Sequence, residues 1–391
     1  MFKNAFRLPF KLLGIPLFLD ITFLIILPVL AWLIGSQLPE FLGLLQETGA
    51  MDVDQAGIDA LSEGMTPYLL GLAAALALFA SVVIHELGHA ITGRVYGVET
   101  ERITLWLLGG MAHFREMPQQ KGAEAVVAIA GPITSGVLGA LVLGSLAFVP
   151  SEMVGLHFVL IYTGYMNILL AVFNMIPALP LDGGRVLRSL LHLKMSRLRA
   201  TQISASISKA LAIALGLFGL LAFNLFLILI AFFVYIAVNA EAQYAIFSDT
   251  LSRFNVEDLM TSPVESVDPD TSVDEVRRRM LNQTRVAYPI KTVDGEFIGQ
   301  ITLDDVQEAP EGTVAKDAMS DAPPTISSRE QASELFERMI RDDNHRLLVT
   351  DDAGYVVGII TKTDLMRAIQ IISKPRRPSQ RESPPSGVPR R

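Results

Sequence analysis

Long apolar runs broken by short charged stretches fill roughly the first 240 residues, and closely alternating charged and apolar residues fill the rest. Runs of membrane-spanning length lie at about 13–35, 66–91, 123–149 and 156–176, each long enough to cross a hydrocarbon core that needs about 20 apolar residues. A fifth region, 203–238, is too long for one crossing, and Phe223-Asn224 near its middle divides it into a helical hairpin. The pattern predicts an α-helical polytopic membrane domain of six transmembrane helices. The first run follows Lys3, Arg7 and Lys11, as in a signal peptide, but it is long enough to span and no small-residue cleavage pattern follows. It reads as a retained helix.

After Glu241 a repeat appears at constant register. Thr302 corresponds to Thr361, Asp305 to Asp364, Gly299 to Gly358, Met260 to Met319 and Met280 to Met339, each pair 59 residues apart. Each copy reads as a lead-in segment, an amphipathic helix (273–281; 332–340), a strand, a turn at Asp294-Gly295 or Ala353-Gly354, a second strand and a final helix. The expected domains are therefore 1–245 in the membrane, an α/β tandem at 250–373 (about 250–310 and 311–373), and a tail at 374–391. That tail is rich in Pro, Ser and Arg, so it is expected to be disordered and able to meet an anionic membrane leaflet.

Composition agrees with a membrane protein: 51% of residues are hydrophobic, 18% are charged, and mean hydropathy is +0.41. The net charge of −8 reflects acids gathered in the second half and in one early loop, and no nucleic-acid surface is implied. The chain has no cysteine, which excludes thiol catalysis, disulfides and thiolate-bound zinc. Basic residues cluster before the first run (Lys3, Arg7, Lys11), after the second (Arg94, Arg102, Arg115, Lys121) and after the fourth (Arg185, Arg188, Lys194, Arg197, Arg199). The loop after the first run instead carries Glu40, Glu47, Asp52, Asp54, Asp59 and Glu63, and Glu152 follows the third run. The asymmetry predicts cytoplasmic termini in a multi-pass cell-membrane protein.

Against this apolar background, His85-Glu86-Leu87-Gly88-His89 is costly. Ionisable groups in a membrane-length run are expensive unless they are used. On a helix His85 and His89 share a face one turn apart and can hold one zinc ion, while Glu86 can reach a metal-bound water as general base. A chance match is expected in about one such chain in a hundred. A catalytic zinc takes three protein ligands, and the third candidate is Asp182 rather than Asp20. Asp182 lies among Pro177, Pro180, Gly183 and Gly184, and irregular backbone at membrane depth occurs only against protein or a water-filled cavity. A helix cap is the competing reading of Asp182. Asn174 reads as a donor to substrate or oxyanion, or as a buried interhelical amide.

Residues 10–245 resemble the site-2 proteases, M50-type intramembrane zinc metalloproteases. The likeness rests on His85 to His89 and on Asn174 to Gly183, which fits N-x-x-P-x-x-P-x-D-G. Gly14-Ile15-Pro16 and Gly97 followed by Ile103 to Gly110 also agree. The resemblance implies that the latter segment, with Gly109 and Gly110, is a β-element beside the cleft that can pair with an unwound substrate. Gly109-Gly110 also suits a plain turn. Ala130 to Ser135 is similar to the family's third-helix motif, with Ser135 where asparagine often stands. The repeat resembles tandem CBS domains. That likeness implies a homodimer through these domains and adenine-nucleotide (ATP, ADP or AMP) binding at Thr302, Asp305, Thr361 and Asp364, with Arg285, Arg346 and Lys362 near phosphates. Thr-x-x-Asp before a helix is also an ordinary N-terminal cap.

The function expected is zinc-dependent intramembrane endopeptidase activity, with one Zn2+ per chain, on transmembrane segments of single-span membrane proteins (regulated intramembrane proteolysis). The CBS pair would act as a nucleotide-responsive module. The alternative is a CBS-regulated membrane cation transporter. Such a protein has no use for a glutamate directly after the first histidine and would spread polar groups over several helices.

Overall fold

The computed structural model describes residues 5–47, 55–107, 109–114, 120–283, 285–342 and 344–373. Lys3, Asp52, Asp54, Leu108, Arg115 and the tail expected at 374–391 lie outside the described residues. The chain divides into two compact units, Met1–Ala242 and Gln243–Arg391.

The first unit opens on a hairpin, β1 (Ala5–Leu12) and β2 (Ile15–Asp20), where a helix was expected from residue 13. The hairpin turns at Leu13 and Gly14, both with positive φ, and the Arg94 guanidinium donates to the Leu13 carbonyl at 2.7 Å. The difference has a physical reason: in β2 the side chains of Ile15 and Leu17 are buried while Pro16 and Phe18 are half-buried, a period of two hidden inside a continuous apolar run. Helix α1 (Ile21–Ser36) starts where Asp20 caps it, accepting from the Thr22 amide at 3.0 Å and the Thr22 hydroxyl at 2.7 Å. It bends by 48° into α2 (Leu38–Glu47).

There follow α3 (Gln55–Ser62), α4 (Thr66–Val95), β3 (Thr100–Trp106), β4 (Gly109–Phe114), α5 (Ala123–Ser145), α6 (Val154–Asn174), α7 (Asp182–His192), α8 (Arg197–Leu221) and α9 (Leu225–Leu251). Among the described residues α4, α5, α6, α8 and α9 are long and apolar enough to cross a membrane, and the bent α1–α2 pair makes a sixth. The division expected at Phe223-Asn224 is present: Phe223 has φ 50°, and the Asn224 carboxamide oxygen caps α9 by accepting from the Phe226 and Leu227 amides at 3.0 and 3.2 Å.

The strands form one sheet in the order β1-β2-β3-β4, with β2 and β3 parallel and the outer pairs antiparallel. Parallel pairing of Leu17 to Leu19 with Ile103 to Leu105 requires a long crossover, which α1 to α4 supply. Ile15, Leu17, Ile103 and Leu105 pack with Phe79 and Val83 of α4. The sheet is thereby fixed against the helix that carries the histidines, with β4 at its edge.

The second unit repeats one order of elements at the 59-residue offset. Its first copy contains α10 (Val256–Leu259), α11 (Val273–Gln283), β5 (Ala287–Lys291), β6 (Phe297–Thr302) and α12 (Leu303–Glu308). Its second contains α13 (Ala315–Ala318), β7 (Thr325–Ser327), α14 (Ala332–Arg341), β8 (Arg346–Thr350), β9 (Val356–Thr361) and α15 (Lys362–Ser373). Even the missing strand has a trace, since the parallel Ile326–Val349 pair of β7 and β8 recurs as an isolated Val267–Ile290 bridge. The lead-in segments cross over: Met260 packs on Gly358 of the second copy and Met319 on Gly299 of the first. The crossing makes each copy part of the other's surface.

Candidate metal centre

Helix α4 runs 30 residues, with Pro67 in its first turn, so nothing interrupts the i to i+4 register of His85 and His89. Both imidazoles are buried, at 4% and 6% exposure. Asp182, 8% exposed, meets them from α7. The three ligand atoms form a near-equilateral triangle: His85 Nε2 to His89 Nε2 is 3.2 Å, His85 Nε2 to Asp182 Oδ2 is 3.2 Å, and His89 Nε2 to Asp182 Oδ2 is 3.3 Å. A tetrahedron with metal–ligand bonds of about 2.0–2.1 Å has edges of about 3.3–3.4 Å, so the triangle has the dimensions of one face of a tetrahedral zinc site. Among the described residues this is the one group of three His, Cys, Asp or Glu side chains close enough to share an ion.

The other ring nitrogens are bonded as well. His89 Nδ1 donates to the Val127 carbonyl oxygen at 2.8 Å, and His85 Nδ1 lies 2.9 Å from Ser135 Oγ, both on α5. Because a carbonyl oxygen only accepts, His89 carries its proton on Nδ1 and turns its Nε2 lone pair into the cluster, the arrangement that outer partners impose on metal-binding histidines, and the Ser135 hydroxyl is able to accept the same bond from His85. Gly131, between those two partners on α5, faces the cluster directly: a Cβ there would collide with His89 Nε2 and crowd His85 Nε2. The fit is therefore steric as well as chemical, because the space an ion needs is kept free by a missing side chain.

Asp182 reaches this position because the chain before α7 is irregular. Residues 175–181 contain Pro177 and Pro180, and the Leu179 amide, in the wall of the turn, donates to Ser208 Oγ of α8 at 2.8 Å. Gly183 and Gly184 lie against the backbone of residues 175–179, where a Cβ would overlap it. Asp182 itself sits in the first turn of α7 and does not cap it; the cap position is Leu181. Asp20, the other acid weighed, is occupied in capping α1 and stands outside the cluster.

Glu86 is held by the sheet. Its Oε2 accepts from the Ala112 amide of edge strand β4 at 2.9 Å. Gly110 abuts it so closely that a Cβ would lie 2.7 Å from Glu86 Cγ. Gly109 and Gly110 thus begin β4, with Gly109 at φ 130°, and the β-element that the resemblance implies there is present as the antiparallel pair β3–β4. Asn174 ends α6, half-buried and apart from the triangle. Beside His89 a cavity of about 20 Å³, room for a single water molecule, is lined by Phe114, Glu124, Val127 and Arg185. His113, on β4, is pushed down to about 4 by burial and then by the neighbouring Arg102 charge, so it is neutral at pH 7.

Ser135, the Val127 carbonyl and Gly131 were not singled out as site residues from sequence, although the signal existed. They recur every four residues along one face of α5. Arg188, which sequence reading used only as a positive charge, proves to be buried at 6% exposure between Glu124 and Glu241.

In the second unit Thr302 with Asp305 and Thr361 with Asp364 both form reciprocal caps. Asp305 Oδ2 accepts from the Thr302 hydroxyl at 2.7 Å, and Asp364 Oδ2 from the Thr361 hydroxyl at 2.6 Å. The two differ in one respect, since Ser320 Oγ also donates to both oxygens of Asp305. Arg346 is half-buried beside Thr361 in the β8–β9 register and reaches Gln300 Oε1 at 3.4 Å. Arg285 pairs with Glu265 at 3.2 Å. The Lys362 amide donates to the His345 carbonyl at 3.1 Å.

Comparison with known proteins gives consistent matches. Residues 73–155 and 150–215 match the model of peptidase family M50, and 256–312 and 315–371 each match the CBS domain. A zinc metalloprotease of Methanocaldococcus jannaschii is 34% identical over 364 residues, covering 93% of this chain and 96% of the relative. Rip3 of Mycobacterium tuberculosis is 29% identical over 326 residues, covering 78% and 82%. The solved site-2 protease from Methanocaldococcus jannaschii is 33% identical over a match covering 61% of this chain and 95% of that one, with a TM-score of 0.42.

Proposed function

The chain belongs to peptidase family M50, the site-2 proteases, and carries a tandem CBS pair, and from that premise we propose that it is a zinc-dependent intramembrane endopeptidase. The observation that carries this reading is the buried Nε2, Nε2, Oδ2 triangle with Glu86 adjoining it in sequence. His85, His89 and Asp182 hold the ion, and zinc, when bound, supplies the Lewis acidity that makes water nucleophilic near neutral pH and polarises the scissile carbonyl. Glu86 takes the proton from the attacking water and passes it to the leaving amine. The Ala112 amide fixes one carboxylate oxygen of Glu86 and leaves the other for that transfer. Asn174 and the Gly109-Gly110 start of β4 border the substrate path.

The substrate is a transmembrane segment of a single-span protein. A helical substrate has its amides internally bonded, so it must be extended before attack, and pairing with a sheet edge holds it open. Strand β4 supports this role, because among the described residues it pairs with β3 alone. The excess of Lys and Arg after α4 and after α6 supports a metal centre near the cytoplasmic face, with both termini cytoplasmic. The CBS pair binds an adenine nucleotide through Thr302, Asp305, Thr361 and Asp364 and adjusts activity. It also provides a homodimer contact. Stripping the purified protein of metal with a chelator should abolish cleavage of a reconstituted membrane substrate, and stoichiometric zinc should restore it. Full cleavage by metal-free protein would remove the proposal.

A further inference from the structure

We propose that Arg188 is a positioning residue that sets Asp182 against the two histidines, an inference that rests on Asp182 being a metal ligand. Arg188 lies six residues beyond Asp182 on α7, about 9 Å along the axis, and does not touch the cluster. Its guanidinium is buried and forked between two helices: Nε donates to Glu124 Oε1 at 3.1 Å, Nη2 donates to the same carboxylate, and Nη1 donates to Glu241 of α9. A second tie lies next to it, where the Ala125 amide donates to Ser189 Oγ at 3.1 Å.

The partners make this more than a packing contact. Glu124 and Ala125 are in the first turn of α5, the helix whose Val127 carbonyl and Ser135 hydroxyl orient His89 and His85. One helix therefore serves as the common frame for all three ligands. It holds two by direct hydrogen bonds and the third through α7. Helix α7 has only 11 residues and is preceded by the irregular 175–181 segment, so its placement depends on what grips it along its length. Glu124 also lines the small cavity that reaches His89. Losing Arg188 would release that carboxylate from its fork beside a metal ligand. A planar fork binds one carboxylate with two N–H groups, which a lysine ammonium cannot reproduce.

The test is a double-mutant cycle read by zinc affinity in chelator competition and by the visible spectrum of the Co2+-substituted protein. Arg188→Lys should weaken zinc binding about 10- to 100-fold, the usual cost of losing an outer partner of a metal ligand. It should also alter the Co2+ bands and lower kcat with little change in KM. In an Asp182→Asn background the same substitution should have no further effect on affinity. Should Arg188→Lys fail to fold, Glu124→Gln takes the charge out of the same fork while Glu241 keeps the guanidinium paired, and should give the same changes. Unaltered zinc affinity and Co2+ spectrum in folded Arg188→Lys or Glu124→Gln overturns the proposal, as does an Arg188→Lys effect that persists in full beside Asp182→Asn. If Asp182→Asn alone leaves zinc affinity unchanged, the ligand assignment fails instead.

Discussion

Gly131 decides at a single atom whether the centre can hold an ion. With a Cβ at that position His89 Nε2 and His85 Nε2 could not keep their places, and α5 cannot retreat without breaking the Val127 and Ser135 hydrogen bonds that orient them. Gly131→Ala is therefore expected to lower the zinc content of folded protein at least about tenfold, measured by atomic absorption on the purified variant; one zinc per chain would contradict the steric argument. At this scale the sequence was informative where spacing alone fixes geometry, as for His85, Glu86 and His89 on a helix. It was less so for Ser135 and Gly131, whose importance depends on which face of α5 meets α4, a fact of packing rather than of the local pattern. Arg188 was invisible as a positioning candidate for the same reason, since its partners are 64 and 53 residues away.

Elements were readable to the extent that their period was. The hairpin at Phe223-Asn224 shows a break in an apolar run, and the paired turns at Gly295 and Gly354, both with φ near 85–89°, show repeat and turn chemistry agreeing. Strand β2 was misread because six apolar-rich residues joined directly to α1 look like the start of one span, and pairing with β3 more than 80 residues on is not a local property. Strand β4 invites a direct test. The Ala112 N–H points away from β3 toward Glu86, and an edge strand tolerates proline where its N–H faces outward. Ala112→Pro should leave zinc bound while cleavage falls about 100-fold, assayed with a reconstituted substrate alongside metal analysis. Wild-type cleavage would mean that the outer edge of β4 neither holds the base nor receives substrate.

At the scale of the whole molecule two compact units with different chemistry share one chain. The change in composition near Glu241 makes the existence of two parts legible. The crossing of lead-in segments between the CBS copies was not, because Met260 and Met319 each pack on the opposite copy. The crossing is symmetric, yet the two Thr-x-x-Asp caps differ. Asp305 is already bonded by Ser320, whereas Asp364 accepts from Thr361 with one oxygen. Asp364→Asn should thus weaken adenine-nucleotide binding about tenfold in calorimetry, the loss of one hydrogen bond to a charged acceptor at about 1.4 kcal/mol. Unchanged affinity would place the nucleotide elsewhere.

The central claim is that a zinc ion held by His85, His89 and Asp182 works with Glu86 to cut a peptide bond. It is tested most directly by Glu86→Gln in the purified, reconstituted protein, with zinc content and substrate cleavage measured on the same sample. The account predicts one zinc per chain and cleavage reduced by about 100-fold or more, the scale of a lost general base. Cleavage at the wild-type rate with zinc retained would contradict it.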